Sequence, residues 1–154
     1  MRLSIVASLS LLIAAGAIAA PLSKQTALKI MHERHEGMEA VGKANKVLRR
    51  ELTGDKPNIA QVRKAAAQMS ALAGKSSKWF VDGTGPEVGK TGAKSEIWKQ
   101  KADFNARLRD FQGAAKSLRL AAAKGDAGAA KAGYARLGKT CKACHDSYRS
   151  DMHH

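Results

Sequence analysis

Apolar positions in this 154-residue chain recur every three or four residues, a spacing that predicts helices. After the first twenty residues no stretch alternates with a period of two. Four periodic segments run from about Lys24 to Leu52, Asn58 to Phe80, Lys94 to Lys124 and Ala127 to Ser150. Between the second and third, Val81 to Ala93 is rich in glycine and reads as a loop. We therefore predict one all-α domain, an antiparallel four-helix bundle with mostly short connections.

Each segment carries one apolar stripe, which predicts the side of the helix that faces the core. In the second segment the stripe is Ile59, Val62, Ala66, Met69, Ala73 and Phe80. In the third it is Ile97, Phe104, Leu108, Phe111, Ala115, Leu118 and Ala122. In the fourth it is Ala130, Tyr134, Leu137, Cys141, Cys144 and Tyr148. Both cysteines of the chain therefore lie on an inward face.

These two cysteines belong to the sequence Cys141-Lys142-Ala143-Cys144-His145, which is C-x-x-C-H, the attachment motif of c-type haem. Thiols three residues apart share one side of a helix, so both can form thioethers with one porphyrin. The adjoining His145 then supplies the proximal iron ligand. We expect one covalently bound haem c per chain.

Two other uses of a C-x-x-C pair fit less well. A thioredoxin-like redox pair lies where a strand runs into a helix, whereas the residues before Cys141 read as helix. A structural zinc site needs about four ligands, and the chain has no second C-x-x-C.

The first helix places a charge on its inward stripe, which reads Ala27, Met31, Arg34, Met38, Val41, Asn45, Leu48 and Leu52. A buried arginine needs a partner, and no carboxylate shares this stripe. We expect Arg34 to bind a haem propionate; the alternative is an arginine whose head reaches solvent. Met38, one turn further, is expected as the distal iron ligand, with simple core packing as the alternative.

The N-terminus has the pattern of a secretory signal peptide. Arg2 precedes a short apolar run that ends in Ala17-Ile18-Ala19, an A-x-A cleavage site. We predict that residues 1–19 are removed and that residues 20–154 form the bundle domain. An uncleaved anchor is the alternative. Export agrees with the C-x-x-C-H motif, because bacteria attach haem c outside the cytoplasmic membrane, and it predicts a periplasmic protein.

The composition is strongly basic, with 27 Lys and Arg against 13 Asp and Glu and a formal net charge of +14. Such a charge is typical of nucleic-acid binding, but no nucleic-acid motif is present and an exported protein meets little nucleic acid. The basic residues are scattered over all segments. They predict either a solvated surface or steering toward redox partners that are acidic or membrane-associated.

With these residues in view, the chain resembles the class II c-type cytochromes, meaning cytochrome c prime and its low-spin relatives. The similarity rests on C-x-x-C-H close to the C-terminus, the ending Asp146-Ser147-Tyr148-Arg149, the spacing Arg34-x-x-x-Met38, and Ile97-Trp98 followed by Phe104. The resemblance implies a haem on a left-handed four-helix bundle, and a homodimer is common in the family.

The family has two branches, and the function follows from the branch. We expect the low-spin branch: an electron carrier whose iron is ligated by His145 and Met38. The alternative is a five-coordinate, high-spin cytochrome c prime that binds nitric oxide or carbon monoxide. His35 is a further alternative ligand. A peroxidase would need a distal acid or base, which only His35 offers, so we expect no catalytic residues and no enzyme.

Overall fold

Four long helices form the protein in the computed structural model, which describes residues 21–150. The long helices are α1 (Lys24–Thr53), α2 (Ile59–Lys75), α4 (Lys101–Ala123) and α5 (Ala127–Tyr148). A 3-10 turn (Ser76–Lys78) follows α2, and the short helix α3 (Glu96–Lys99) precedes α4. Within residues 21–150 there is no strand, so the predicted all-α class and four-helix bundle are confirmed. The predicted signal peptide, residues 1–19, lies outside the described residues.

Side-chain caps begin three of the long helices where the sequence places them. Ser23 Oγ accepts from the Thr26 amide at 3.2 Å, Asn58 Oδ1 from Gln61 at 3.1 Å, and Asp126 Oδ1 from Ala129 at 2.8 Å. Each cap satisfies an amide that has no partner inside its helix. These local contacts explain why the starts of α1, α2 and α5 agree with the periodicity.

Two predicted helices end or break earlier than expected. The second was expected to reach Phe80, but α2 ends at Lys75, where Ser76 Oγ donates to the Ala73 carbonyl at 2.7 Å. The third is interrupted at Gln100, whose backbone leaves the helical region (φ −115°, ψ 44°). Ile97 and Phe104 are seven residues apart, a spacing that also fits an unbroken helix, so the pattern did not reveal this break.

The core lies between α4 and its neighbours, because α4 packs along both α2 and α5 while α1 packs along α2. The contact between α1 and α5 is much the least extensive of these helix pairs. All seven apolar residues of the predicted third stripe are buried. On α1 the pattern is looser: Gly37 and Ala44 are buried outside the predicted stripe, whereas Met38, Val41 and Asn45 are only half-buried.

Residues 79–93, called the strap below, cross from the 3-10 turn to α3 without regular structure. The end of the strap is fastened to the C-terminal end of α5. The Ser150 amide donates to the Gly92 carbonyl at 2.9 Å, and the Lys94 amide donates to the Tyr148 carbonyl at 3.0 Å. Among the described residues, no helix is long and apolar enough to span a bilayer.

Candidate haem-attachment site

Cys141 and Cys144 lie on one side of α5, as their spacing predicts. Both are free thiols, half-buried and packed against the hydrophobic core. Burial raises the pKa of each thiol, and the nearby Arg107 opposes the rise at Cys144. The pair lies well inside α5, and no strand precedes it within residues 21–140, which disagrees with a thioredoxin-like arrangement.

His145 follows on the exposed side of the same turn. Desolvation lowers the pKa of its imidazole, and the charge of Arg149 acts in the same direction. A neutral imidazole is the form that binds iron. No group of three or more His, Cys, Asp or Glu side chains within residues 21–150 is arranged to hold a bare metal ion.

The surroundings of the cysteines fit a porphyrin. Several apolar side chains remain half-buried although they pack against the core: Val41, Phe80, Trp98, Tyr134, Cys141 and Cys144. The rings of Phe80, Phe104 and Tyr148 form an edge-on series, with centroids 4.8 and 5.3 Å apart. Apolar surface that stays accessible beside the least extensive helix contact is what a flat apolar cofactor would cover.

Arg107 on α4 holds the attachment segment from outside, a contact that the sequence analysis missed. Its Nη1 donates to the Ala143 carbonyl, between the two cysteines, at 2.8 Å. Its Nε donates to Asp103 Oδ2 at 2.7 Å, and the buried Tyr148 hydroxyl donates to the same oxygen at 2.5 Å. Only the pairing of Asp103 with Arg107, four residues apart on α4, was visible in the sequence.

This cluster shifts three titrations. The bonds from Tyr148 and Arg107 lower the pKa of Asp103, and the same carboxylate raises the pKa of Arg107. Burial and the bond to Asp103 raise the pKa of Tyr148 to about 12. A protonated Tyr148 and a charged Asp103 therefore stabilise each other across α4 and α5.

Arg34 is buried, with 4% of its surface exposed, so the alternative of an arginine head in solvent is wrong. Nη1 donates to the Trp79 carbonyl (3.1 Å) and to Thr84 Oγ1 (3.3 Å). Nη2 donates to the Thr84 carbonyl (3.0 Å) and to Thr91 Oγ1 (3.0 Å). Burial lowers its pKa to about 10, opposed by Glu87. The propionate contact stays a prediction, while the structure gives both terminal nitrogens acceptors in the strap.

Met38 is half-buried on α1, beside a close contact between α1 and the strap. The buried Trp79 ring lies so close to Gly37 that a Cβ at that position would overlap it. His35 lies on the exposed side of α1, with Nε2 3.5 Å from Glu39 Oε1. Of these two candidate distal residues, Met38 is thus the one on the inward side.

A family model described as Cytochrome C' matches residues 29–149, which include both the attachment motif and Arg34-x-x-x-Met38. Cytochrome c' of Allochromatium vinosum is 35% identical over 141 residues, which cover 90% of this chain and 89% of that protein. The chain therefore belongs to the cytochrome c' family of class II c-type cytochromes. Proteins of this family bind haem c covalently, and Cys141 and Cys144 are the two cysteines of this chain.

Solved structures agree on the fold. A cytochrome c' whose dimer dissociation is controlled by ligand superimposes with a TM-score of 0.74 at 32% identity, over 86% of this chain and all of that one. A variant of cytochrome c prime from Alcaligenes xylosoxidans, solved as its nitric oxide complex, has a TM-score of 0.71 at 26% identity. It covers 83% of this chain and 97% of that one.

These comparisons correct the expected branch. The relatives carry the name cytochrome c', the five-coordinate, gas-binding branch, so the expected low-spin electron carrier with Met38 as sixth ligand is wrong. The physical reason is that helical spacing shows which side of α1 Met38 occupies. It does not show how far the sulfur lies from the iron, which depends on how closely α1 approaches the haem.

Proposed function

We propose that this chain is an exported cytochrome c' that binds nitric oxide or carbon monoxide at a five-coordinate, high-spin haem. The observation that carries the proposal is the family match over residues 29–149. It is supported by the similarity to a protein solved as a nitric oxide complex. The haem supplies an iron with one open coordination position, and the chain has no catalytic role in the proposal.

Each site residue has one task in this proposal. Cys141 and Cys144 hold one haem c through thioethers, and His145 ligates the iron from the α5 side. Arg107 supports this segment through the Ala143 carbonyl. Met38 and the neighbouring Trp79 line the side where the gas enters and exclude water from it, without a sulfur–iron bond. Arg34 remains the predicted partner of a haem propionate, through a guanidinium N–H that does not donate to the strap.

The setting of the protein is part of the proposal. Export to the periplasm is supported by the signal-peptide pattern, which precedes the described residues. A homodimer is supported by the similarity to a cytochrome c' that forms a dimer. The formal charge of +14 supports acidic or membrane-associated redox partners, which would keep the iron reduced, and no nucleic acid is involved.

Absorption spectra of the purified holoprotein test the proposal, with Met38→Leu as the matched variant because leucine keeps the volume and removes the sulfur. We expect a high-spin ferric spectrum, ready binding of carbon monoxide by the ferrous form, and a Met38→Leu spectrum that keeps the high-spin bands. A low-spin ferric protein whose red-edge charge-transfer band disappears in Met38→Leu would contradict the proposal.

A further inference from the structure

The side chain of Arg34 on α1 hydrogen-bonds three residues of the strap. The guanidinium of Arg34 reaches Trp79 and Thr84 in the first part of the strap and Thr91 in the last part. It also lies 5.4 Å from the Phe80 ring centroid and 5.7 Å from that of Trp98. Arg34 therefore binds both the first and the last part of the strap to one point of α1.

The acceptors in this contact are neutral. The guanidinium donates four hydrogen bonds, all to backbone carbonyls or threonine hydroxyls, and Glu87 acts on its charge only through space. A buried cation is costly unless its donors are satisfied. The hydrogen bonds that the closed strap accepts thus offset the free-energy cost of burying Arg34. Opening the strap would leave the guanidinium without these acceptors.

The closed strap touches α1 at Gly37, the residue that precedes Met38. Trp79, whose carbonyl binds Arg34, packs its ring against Gly37, the residue next to Met38. The other end of the strap pairs with the residue that follows α5, a few positions after His145: Ala93 forms an isolated bridge with Arg149. The strap therefore joins the distal side of the site to the proximal side.

We propose that Arg34 is a positioning residue that clamps the strap and thereby sets the width of the path by which a diatomic gas reaches the space beside Met38. The inference rests on the proposed gas-binding function. Loosening the clamp would let Trp79 move away from Gly37 and widen the path, as the opening of a lid does.

The test uses the holoprotein with Thr91→Val, which keeps the volume and the charge of the site but removes the hydroxyl that accepts from Arg34 Nη2 and from the Ala93 amide. We expect amide hydrogen exchange in residues 79–91 to become about fivefold faster, the equivalent of one net hydrogen bond to Arg34, whereas the lost bond of the Ala93 amide acts on Ala93 itself, outside this range. The association rate of carbon monoxide with the ferrous protein should rise by a factor of the same order. Thr91→Ser keeps the hydroxyl and should restore both values.

Two further variants separate the clamp from other effects. Thr53→Val removes a hydroxyl bond to the Arg49 carbonyl far from the strap and should leave exchange and association unchanged. Arg34→Lys keeps the charge and loses the planar fork of donors, so it should exceed the effect of Thr91→Val.

Unchanged exchange in Thr91→Val would overturn the clamp. Faster exchange with an unchanged association rate would overturn its control of the gas path. An association rate that responds to Arg34→Lys alone would also overturn the proposal and assign the effect to the propionate. A wild-type protein that binds no carbon monoxide would reject the proposed function instead, while the exchange measurement would still decide whether Arg34 fastens the strap.

Discussion

The two ends of the bundle are built differently. The end where α4 turns into α5 closes on its own side chains, and Leu48, Val62, Leu118 and Ala130 there have no measurable exposure. Gly133 allows α5 to approach α4 so closely that a Cβ would lie 3.3 Å from the Leu118 Cα. Gly125, with φ +75°, makes the tight turn between the two helices. This end, called the closed end below, needs nothing beyond the chain itself.

The end that carries the C-x-x-C-H motif is different. Phe80, Trp98 and both cysteines are only half-buried there. A strap without regular structure takes the place of a helix–helix contact, and it is held by a buried arginine. The apolar surface of this end is left incomplete, whereas the buried side-chain nitrogens and oxygens of the described residues all have hydrogen-bond partners, which suits an end that receives a cofactor. We call it the haem end.

Removing the haem should have the largest effect, and only at the haem end. In Cys141→Ala with Cys144→Ala, both thioethers are lost and the apolar lining surrounds an empty cavity, so we expect the free energy of unfolding to fall by about 5 kcal/mol. The measurements are acid–acetone extraction of the haem and urea denaturation. Cys144→Ala alone keeps one thioether and is the control. Haem that stays with the double variant after extraction would contradict covalent attachment.

A cavity at the closed end should lower stability without touching the site. Leu118→Ala should lower the free energy of unfolding by about 3 kcal/mol, because Leu118 is fully buried between α4 and α5. Urea denaturation measures the loss, and the absorption spectrum and the carbon monoxide association rate should stay as in the wild type. A changed rate would show that the two ends are coupled.

The smallest effect concerns Tyr148, and it depends on pH. Folding raises the pKa of Tyr148 from about 10 to about 12. The contribution of the protonated Tyr148 hydroxyl to the free energy of unfolding is therefore fully present below pH 10 and is lost as the pH rises through 12. Tyr148→Phe should therefore be less stable than the wild type by about 1 kcal/mol at pH 9. The deficit should shrink between pH 10 and 12, as measured by urea denaturation. A deficit that is constant over this range would contradict the titration.

The sequence predicted the closed end better than the haem end. The third stripe was correct at every position: Ile97 lies on α3, and the positions from Phe104 to Ala122 lie on α4, which packs along both α2 and α5. On α1 the pattern missed Gly37, since a glycine has no hydrophobic signal and is buried here only because the Trp79 ring lies on it. The sequence correctly predicted Arg34 on the inward side of α1, but it did not show which residues of the strap accept its hydrogen bonds.

The presence of the four long helices, the caps of three of them and the attachment motif follow from contacts within about four residues along the chain, such as the bond from the Ala129 amide to Asp126. The tertiary structure decided the partners of Arg34, which lie 45 to 57 residues away along the chain, and the contact of Arg107 with the Ala143 carbonyl 36 residues away. Such partners meet only when the whole chain has packed. The path of an irregular strap cannot be predicted from a local pattern of apolar residues.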